Sequence, residues 1–106
     1  MKAIIDGKRY DTEKAIEIGH SSHNGSRTDF QWWSASLYKT PRAGRFFLAG
    51  QGNGLSRFAT SVDGGGWTSG ESIIPLTDAD ALAWVEQKGF DSATIEKHFS
   101  DQIDDA

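Results

Sequence analysis

The sequence predicts an α+β domain: a meandering antiparallel sheet of four to six strands, with one or two C-terminal helices packed on one side. Three observations carry this expectation. Apolar residues alternate with polar ones through the middle of the chain, the signature of half-buried strands. Helix-start and helix-stop residues gather in the last third. The length of 106 residues, 37% of them hydrophobic, suits one core rather than two.

Each element follows from local chemistry. Ala3-Ile4-Ile5 runs into Asp6-Gly7, a pair suited to a type I′ turn, and Lys8-Arg9-Tyr10 returns as the second arm of a hairpin. Asp11-Thr12 caps a short helix or turn through residues 13–18, with a strand as the alternative because Ile16 and Ile18 alternate around Glu17. The polar stretch from His20 to Ser26 reads as a loop. From Phe30 to Thr40 the pattern is strand: Phe30, Trp32, Ser34, Ser36 and Tyr38 share one face, and Gln31, Trp33, Ala35, Leu37 and Lys39 the other.

Pro41-Arg42-Ala43-Gly44 is a turn, and residues 45–50 return as a second strand. A third strand is expected from Ser56 to Val62, after the glycine-rich residues 51–54. Gly64-Gly65-Gly66 interrupts, and Trp67 to Leu76 forms a last extended segment with Pro75 at an exposed end or edge. Thr77 is an N-cap, with Asp78 and Asp80 at the positive end of the helix dipole. Ala81, Leu82, Trp84 and Val85 supply a buried stripe, and Gly89 stops the helix. Asp91 or Ser92 starts a second helix through Ile95 and Phe99, and the tail 101–106 frays.

Several kinds of chemistry find no support. With no cysteine there is no disulfide, thiolate metal site or cysteine nucleophile, which fits a reducing compartment such as the cytoplasm. No apolar run approaches the roughly 20 residues of a membrane helix, and Asp6-Gly7 comes too early for a signal peptide. His20 and His23 have an HxxH spacing, with His98 far along the chain, but a Ser/Asn/Gly loop does not fix a metal site; they read as solvated histidines. Residues 50–54 (GQGNG) lack the Lys-Ser/Thr pair and following helix of a phosphate loop. No serine sits in a nucleophile elbow. The expectation is a protein that is not an enzyme and carries no cofactor or metal.

Charge is where the sequence speaks of partners. The net −4 divides into nine basic against five acidic residues over 1–62, a balance of +4, and two against ten over 63–106, a balance of −8. Asp78, Asp80, Glu86, Asp91 and Glu96 predict an acidic helical face able to dock on a basic protein surface, with Trp32 or Trp67 as aromatic anchors. The competing reading lies in the hairpin 27–58. Arg27, Lys39, Arg42, Arg45 and Arg57 face only Asp29 there, interleaved with Trp32, Trp33, Tyr38, Phe46 and Phe47. Stacking aromatics beside arginines are how single strands of nucleic acid are held, so Lys39, Arg42, Arg45 and Arg57 are the alternative binding residues.

Four segments together carry a resemblance: Tyr10-Asp11-Thr12-Glu13, Leu37-Tyr38-Lys39-Thr40, Phe46-Phe47-Leu48-Ala49-Gly50 and Gly70-Glu71-Ser72-Ile73-Ile74-Pro75-Leu76. Over roughly residues 3–88 the chain resembles small proteins of bacterial phages, plasmids and integrative elements. The resemblance implies a genomic setting in which an inhibitor of host defence, such as an anti-CRISPR protein, is the natural candidate. Its expected partner is a host CRISPR–Cas effector, blocked by occupation of a surface that normally holds nucleic acid. No binding residue carries over from the resemblance.

Overall fold

Alternation makes strands, but pairing decides which of them become a sheet. The computed structural model describes every residue except 24, 27, 55 and 62–65, and the side chains of 61, 67 and 68 are likewise left out. The elements are β1 (Lys2–Ile5), β2 (Lys8–Asp11), β3 (Ile16–Ser22), β4 (Trp33–Lys39), β5 (Phe46–Gly52), β6 (Thr60–Ser61), β7 (Trp67–Thr68) and β8 (Gly70–Leu76). Helices α1 (Asp78–Gln87) and α2 (Ser92–Phe99) follow, and a 3-10 turn over Ser100–Gln102 ends the regular structure. Six strands build two antiparallel sheets: the hairpin β1-β2 and a four-stranded sheet in the order β3-β4-β5-β8. β6 and β7 add a two-residue ladder. The expected α+β class, with helices last, is the observed one.

Register assigns the faces of the large sheet. Leu37 pairs with Leu48 and Leu48 with Ile74, while Tyr38 pairs with Phe47 and Phe47 with Pro75. One face thus presents Ala35, Leu37, Phe46 and Leu48 to the helices, where they pack with Ile18, Phe58, Ala81, Trp84, Val85 and Phe99. The other face presents Phe47, Ala49 and Ile73 to the N-terminal hairpin, whose Tyr10, Ala3 and Ile5 cover them. Phe46 to Ala49 are therefore all buried in succession, as expected of a strand covered on both sides. The helical side was expected. The hairpin as a second cover, making three layers, was not.

The local signals for the helices hold. The Thr77 side chain caps α1 by accepting from the Asp80 N–H at 3.1 Å, and Asp91 caps α2 by accepting from Thr94 N–H at 2.9 Å. After α1 the Gly89 N–H donates to the Glu86 carbonyl and the Phe90 N–H to the Val85 carbonyl, a Schellman stop that turns Phe90 back onto the core. Phe90 lies so close over Gly19 of β3 that a Cβ there would meet its ring at under 3 Å, and this is where the register of β3 shifts. Pro75 occupies the edge strand β8, as predicted.

Of the alternatives at residues 13–18, the turn and then the strand are adopted: residues 12–14 form a turn, in which Asp11 accepts from Glu13, Lys14 and Ala15, and β3 starts at Ile16. Three expectations are corrected. His20, Ser21 and Ser22 belong to β3 and not to a loop; they pair with Ser36, Ala35 and Ser34. The strand expected at Phe30 begins only at Trp33, since Asp29 holds residues 29–32 in a turn by accepting from Gln31 and Trp32. The strand expected over Ser56–Val62 shrinks to Thr60–Ser61, because Ser56 folds back on Asn53 through both its N–H and its hydroxyl. Leu55, Val62, Gly64 and Gly65 lie outside the described residues.

Candidate functional site

The two layers that cover the sheet carry opposite charge on their outer surfaces. On the helical side, Asp78, Asp80, Glu86, Asp91 and Glu96 are all exposed. They do not form one patch. Glu86 and Glu96 come together around a groove of about 350 Å³, which α1, α2 and the C-terminal tail enclose. Leu82 and Ile95, both half-buried, and Ile103, 40% exposed, give the groove its apolar lining; Asp104 adds a third carboxylate.

Asp80 lies elsewhere, beside Arg57 in a depression with Leu76 and Trp84. Asp91 is the α2 cap, and hydrogen bonds from Thr94 hold its carboxyl below the ordinary range. Leu82, Ile95, Ile103 and Asp104 were not foreseen as site residues. The available signal was Ile103, an apolar residue inside an acidic tail.

The two expected aromatic anchors are Trp32 and Trp67. Trp32 is half-buried and lines a polar depression with Gln51, Asn53 and Glu71. The Trp67 side chain lies outside the described residues.

The basic hairpin is split by the fold. Phe46 and Phe47 are core residues at 3% and 0% exposure and offer no free stacking face, and Tyr38, half-buried, spends one face on Phe47 at 5.3 Å. Burial, with the Glu17 charge adding to it, pushes the Tyr38 phenol above its ordinary value. Lys39 turns to the helical side, 5.3 Å over the Phe46 ring, and donates to the His98 carbonyl at 3.4 Å. Arg57 stands by α1. Arg27 lies outside the described residues.

Arg42 and Arg45 instead meet three cations from the N-terminal hairpin and the turn after it. Lys8, Arg9, Lys14, Arg42 and Arg45 surround a cleft of about 350 Å³ between that hairpin and the β4-β5 turn. Tyr10, Ala15, Pro41 and Ala43 contribute its apolar wall.

Local geometry fixes both rims. Asp6 and Gly7 take positive φ of 51° and 75°, giving the predicted I′ turn that starts β2. Across the cleft, Gly44 at φ 65° closes a turn in which the Thr40 hydroxyl accepts from the Arg45 N–H at 2.9 Å. A side chain at Gly44 would strain that conformation. Among the described residues Asp11 is the one carboxylate lining the cleft, and it accepts from the Glu13 N–H at 3.0 Å.

The histidines are held apart. Both ring nitrogens of His20 lie 3.0 Å from serine hydroxyls of β4, Nδ1 from Ser36 and Nε2 from Ser34, so a neutral ring accepts from one and donates to the other. No sequence spacing signals these Ser–His contacts, which come from strand pairing. His23 accepts from the Gly25 N–H at 3.0 Å through Nδ1. His98 sits half-buried on α2, where burial, helped by Lys97 and Lys39, depresses its pKa. Among the described residues no three His, Asp or Glu side chains converge in a metal-holding group. Among them, too, no helix is long and apolar enough to cross a membrane. Compared with known protein families, curated proteins and solved structures, the chain matches none.

Proposed function

We propose that this protein is a small non-enzymatic binding protein that docks on a host protein complex and blocks it. The observation that supports the reading is the groove between α1, α2 and the tail, where Leu82, Ile95 and Ile103 lie among Glu86, Glu96 and Asp104. Apolar surface bounded by carboxylates matches a segment that presents apolar side chains flanked by lysine or arginine. Surfaces that hold nucleic acid are rich in such segments, and the resemblance to mobile-element proteins makes a CRISPR–Cas effector the partner to test first. The other acids, Asp78, Asp80 and Asp91, add long-range attraction rather than contact.

The test is inhibition of target cleavage by purified CRISPR–Cas effectors, with wild type and the Glu86→Lys/Glu96→Lys variant. The variant should bind at least tenfold more weakly, mostly through slower association, and should lose its salt sensitivity. Undiminished inhibition by the variant removes the groove from the reading. Failure of wild type to bind or inhibit any effector removes the partner class.

A further inference from the structure

We infer that the cleft between the N-terminal hairpin and the β4-β5 turn is a binding site for a nucleotide phosphate. It is separate from the acidic groove and does not depend on the protein-docking reading. The sequence places Arg42 and Arg45 in an aromatic hairpin; the structure puts none of the hairpin's Trp, Tyr or Phe side chains in the lining of the cleft and brings Lys8, Arg9 and Lys14 there instead.

The argument begins with what these cations do not do. Lys39 and Lys88 each serve the fold, over the rings of Phe46 and Trp33. Among the described residues, the side chains of Lys8, Arg9, Lys14, Arg42 and Arg45 make no hydrogen bond, ion pair or ring contact. Five like charges around one cleft repel one another, and Asp11, the single carboxylate lining it among the described residues, leaves most of that charge uncompensated. Such an arrangement adds nothing to folding and fits a polyvalent anion.

The chemistry narrows the anion further. Three of the five cations are guanidiniums, whose planar forks match phosphate oxygens in pairs. The wall between them is apolar, formed by Ala15, Pro41, Ala43 and Tyr10, so the ligand carries a body able to lie on hydrocarbon as well as a charge. The volume of about 350 Å³ stands at the small end of ligand sites, enough for one nucleotide-sized unit. A base and sugar against the wall, with phosphate among the guanidiniums, satisfies all three constraints. Asp11 is placed to accept from a sugar hydroxyl or a base amine.

The same chemistry has two sources, a free nucleotide or a unit of a single strand. The experiment uses the full chain, a fluorescein-labelled oligothymidylate followed by anisotropy at about 50 mM salt, and AMP and ATP as unlabelled competitors. Strand binding that ATP displaces assigns the site to phosphate groups in either form; strand binding without displacement assigns it to the strand. ATP binding by calorimetry without strand binding assigns it to the free nucleotide. No binding of either probe overturns the inference.

Arg42→Ala/Arg45→Ala and Arg9→Ala/Lys14→Ala should each weaken binding roughly tenfold and flatten the salt slope by about two units, one per lost contact. Arg57→Ala, outside the cleft, should leave binding within about twofold. If Arg57→Ala weakens binding as much, or the hairpin pair has no effect, attraction is diffuse and the cleft is not a site. The salt slope of wild type, near zero if no phosphate is contacted, gives a reading independent of any variant. Glu86→Lys/Glu96→Lys should bind the nucleotide as wild type does, so failure here and failure of the docking reading are distinguishable.

Discussion

The layers on the two faces of the sheet differ in how they are held and in what they show to solvent. The helical layer rests on a large apolar core: Phe46 stacks on Phe99 at 4.7 Å, Trp84 packs on Phe90, and Val85 and Ala81 are fully buried. The hairpin layer rests on few residues, chiefly Tyr10, which meets Phe47 edge-on at 5.3 Å. The outer surface of the first is acidic and that of the second, at the cleft, basic. Two charged surfaces of opposite sign are thus kept apart by the thickness of a sheet. The strongly anchored layer carries the proposed protein-docking groove, and the lightly anchored one the nucleotide cleft.

The largest test of that difference is Phe99→Ala. It removes a fully buried ring from the last turn of α2 and leaves Phe46 facing a cavity. The expected cost is about 3–5 kcal/mol, a large share of the stability of a small domain, read from urea unfolding. A cost below about 1 kcal/mol would mean the helices do not anchor the fold as the packing indicates.

Tyr10→Ala comes next and sharpens the contrast. It should cost about 2 kcal/mol, because the hairpin buries less and part of the loss is local. The informative readout is selectivity. With Tyr10 gone the hairpin loses its hold on Phe47, so hydrogen exchange in β1 and β2 should accelerate while α1 and α2 keep their protection. Nucleotide binding should weaken with it. Uniform acceleration across both layers would show one cooperative unit instead of two unequal ones.

How much of this the sequence discloses depends on the range of the interaction. The helices were legible because their signals are local: Thr77 and Asp91 cap, and Gly89 stops, within one turn of the residues they serve. Phe46 to Ala49 were legible as strand, but their burial on both faces was not, since nothing near them in sequence announces a second cover. β3 was misread at His20–Ser22 because its polar residues pair with Ser34 and Ser36 on a half-face that the hairpin leaves uncovered. Polarity there reports exposure rather than a loop. The candidate sites divide the same way. Glu86 and Glu96 were visible as helical acids, whereas the cleft joins residues 8–15 to 40–45 through a docking that no periodicity encodes.

The smallest effect concerns His98, at the junction of α2 with β4. Burial is the largest cause of its depressed pKa, and the charges of Lys97 and Lys39 act in the same direction. In the unfolded chain the imidazole takes up its proton near 6.5, and in the fold only at lower pH. Between those two values the unfolded state binds more protons, so stability falls as pH falls through the window and is constant above it. The sign is opposite to that of a histidine stabilised by a carboxylate. Wild type should therefore lose more stability between about pH 7.5 and pH 5 than His98→Gln, whose side chain does not titrate. Carboxylates protonate in both proteins and cancel in the difference. Urea unfolding at the two pH values measures it; an equal loss in both would mean that burial and the charges of Lys97 and Lys39 do not act on His98 in the fold.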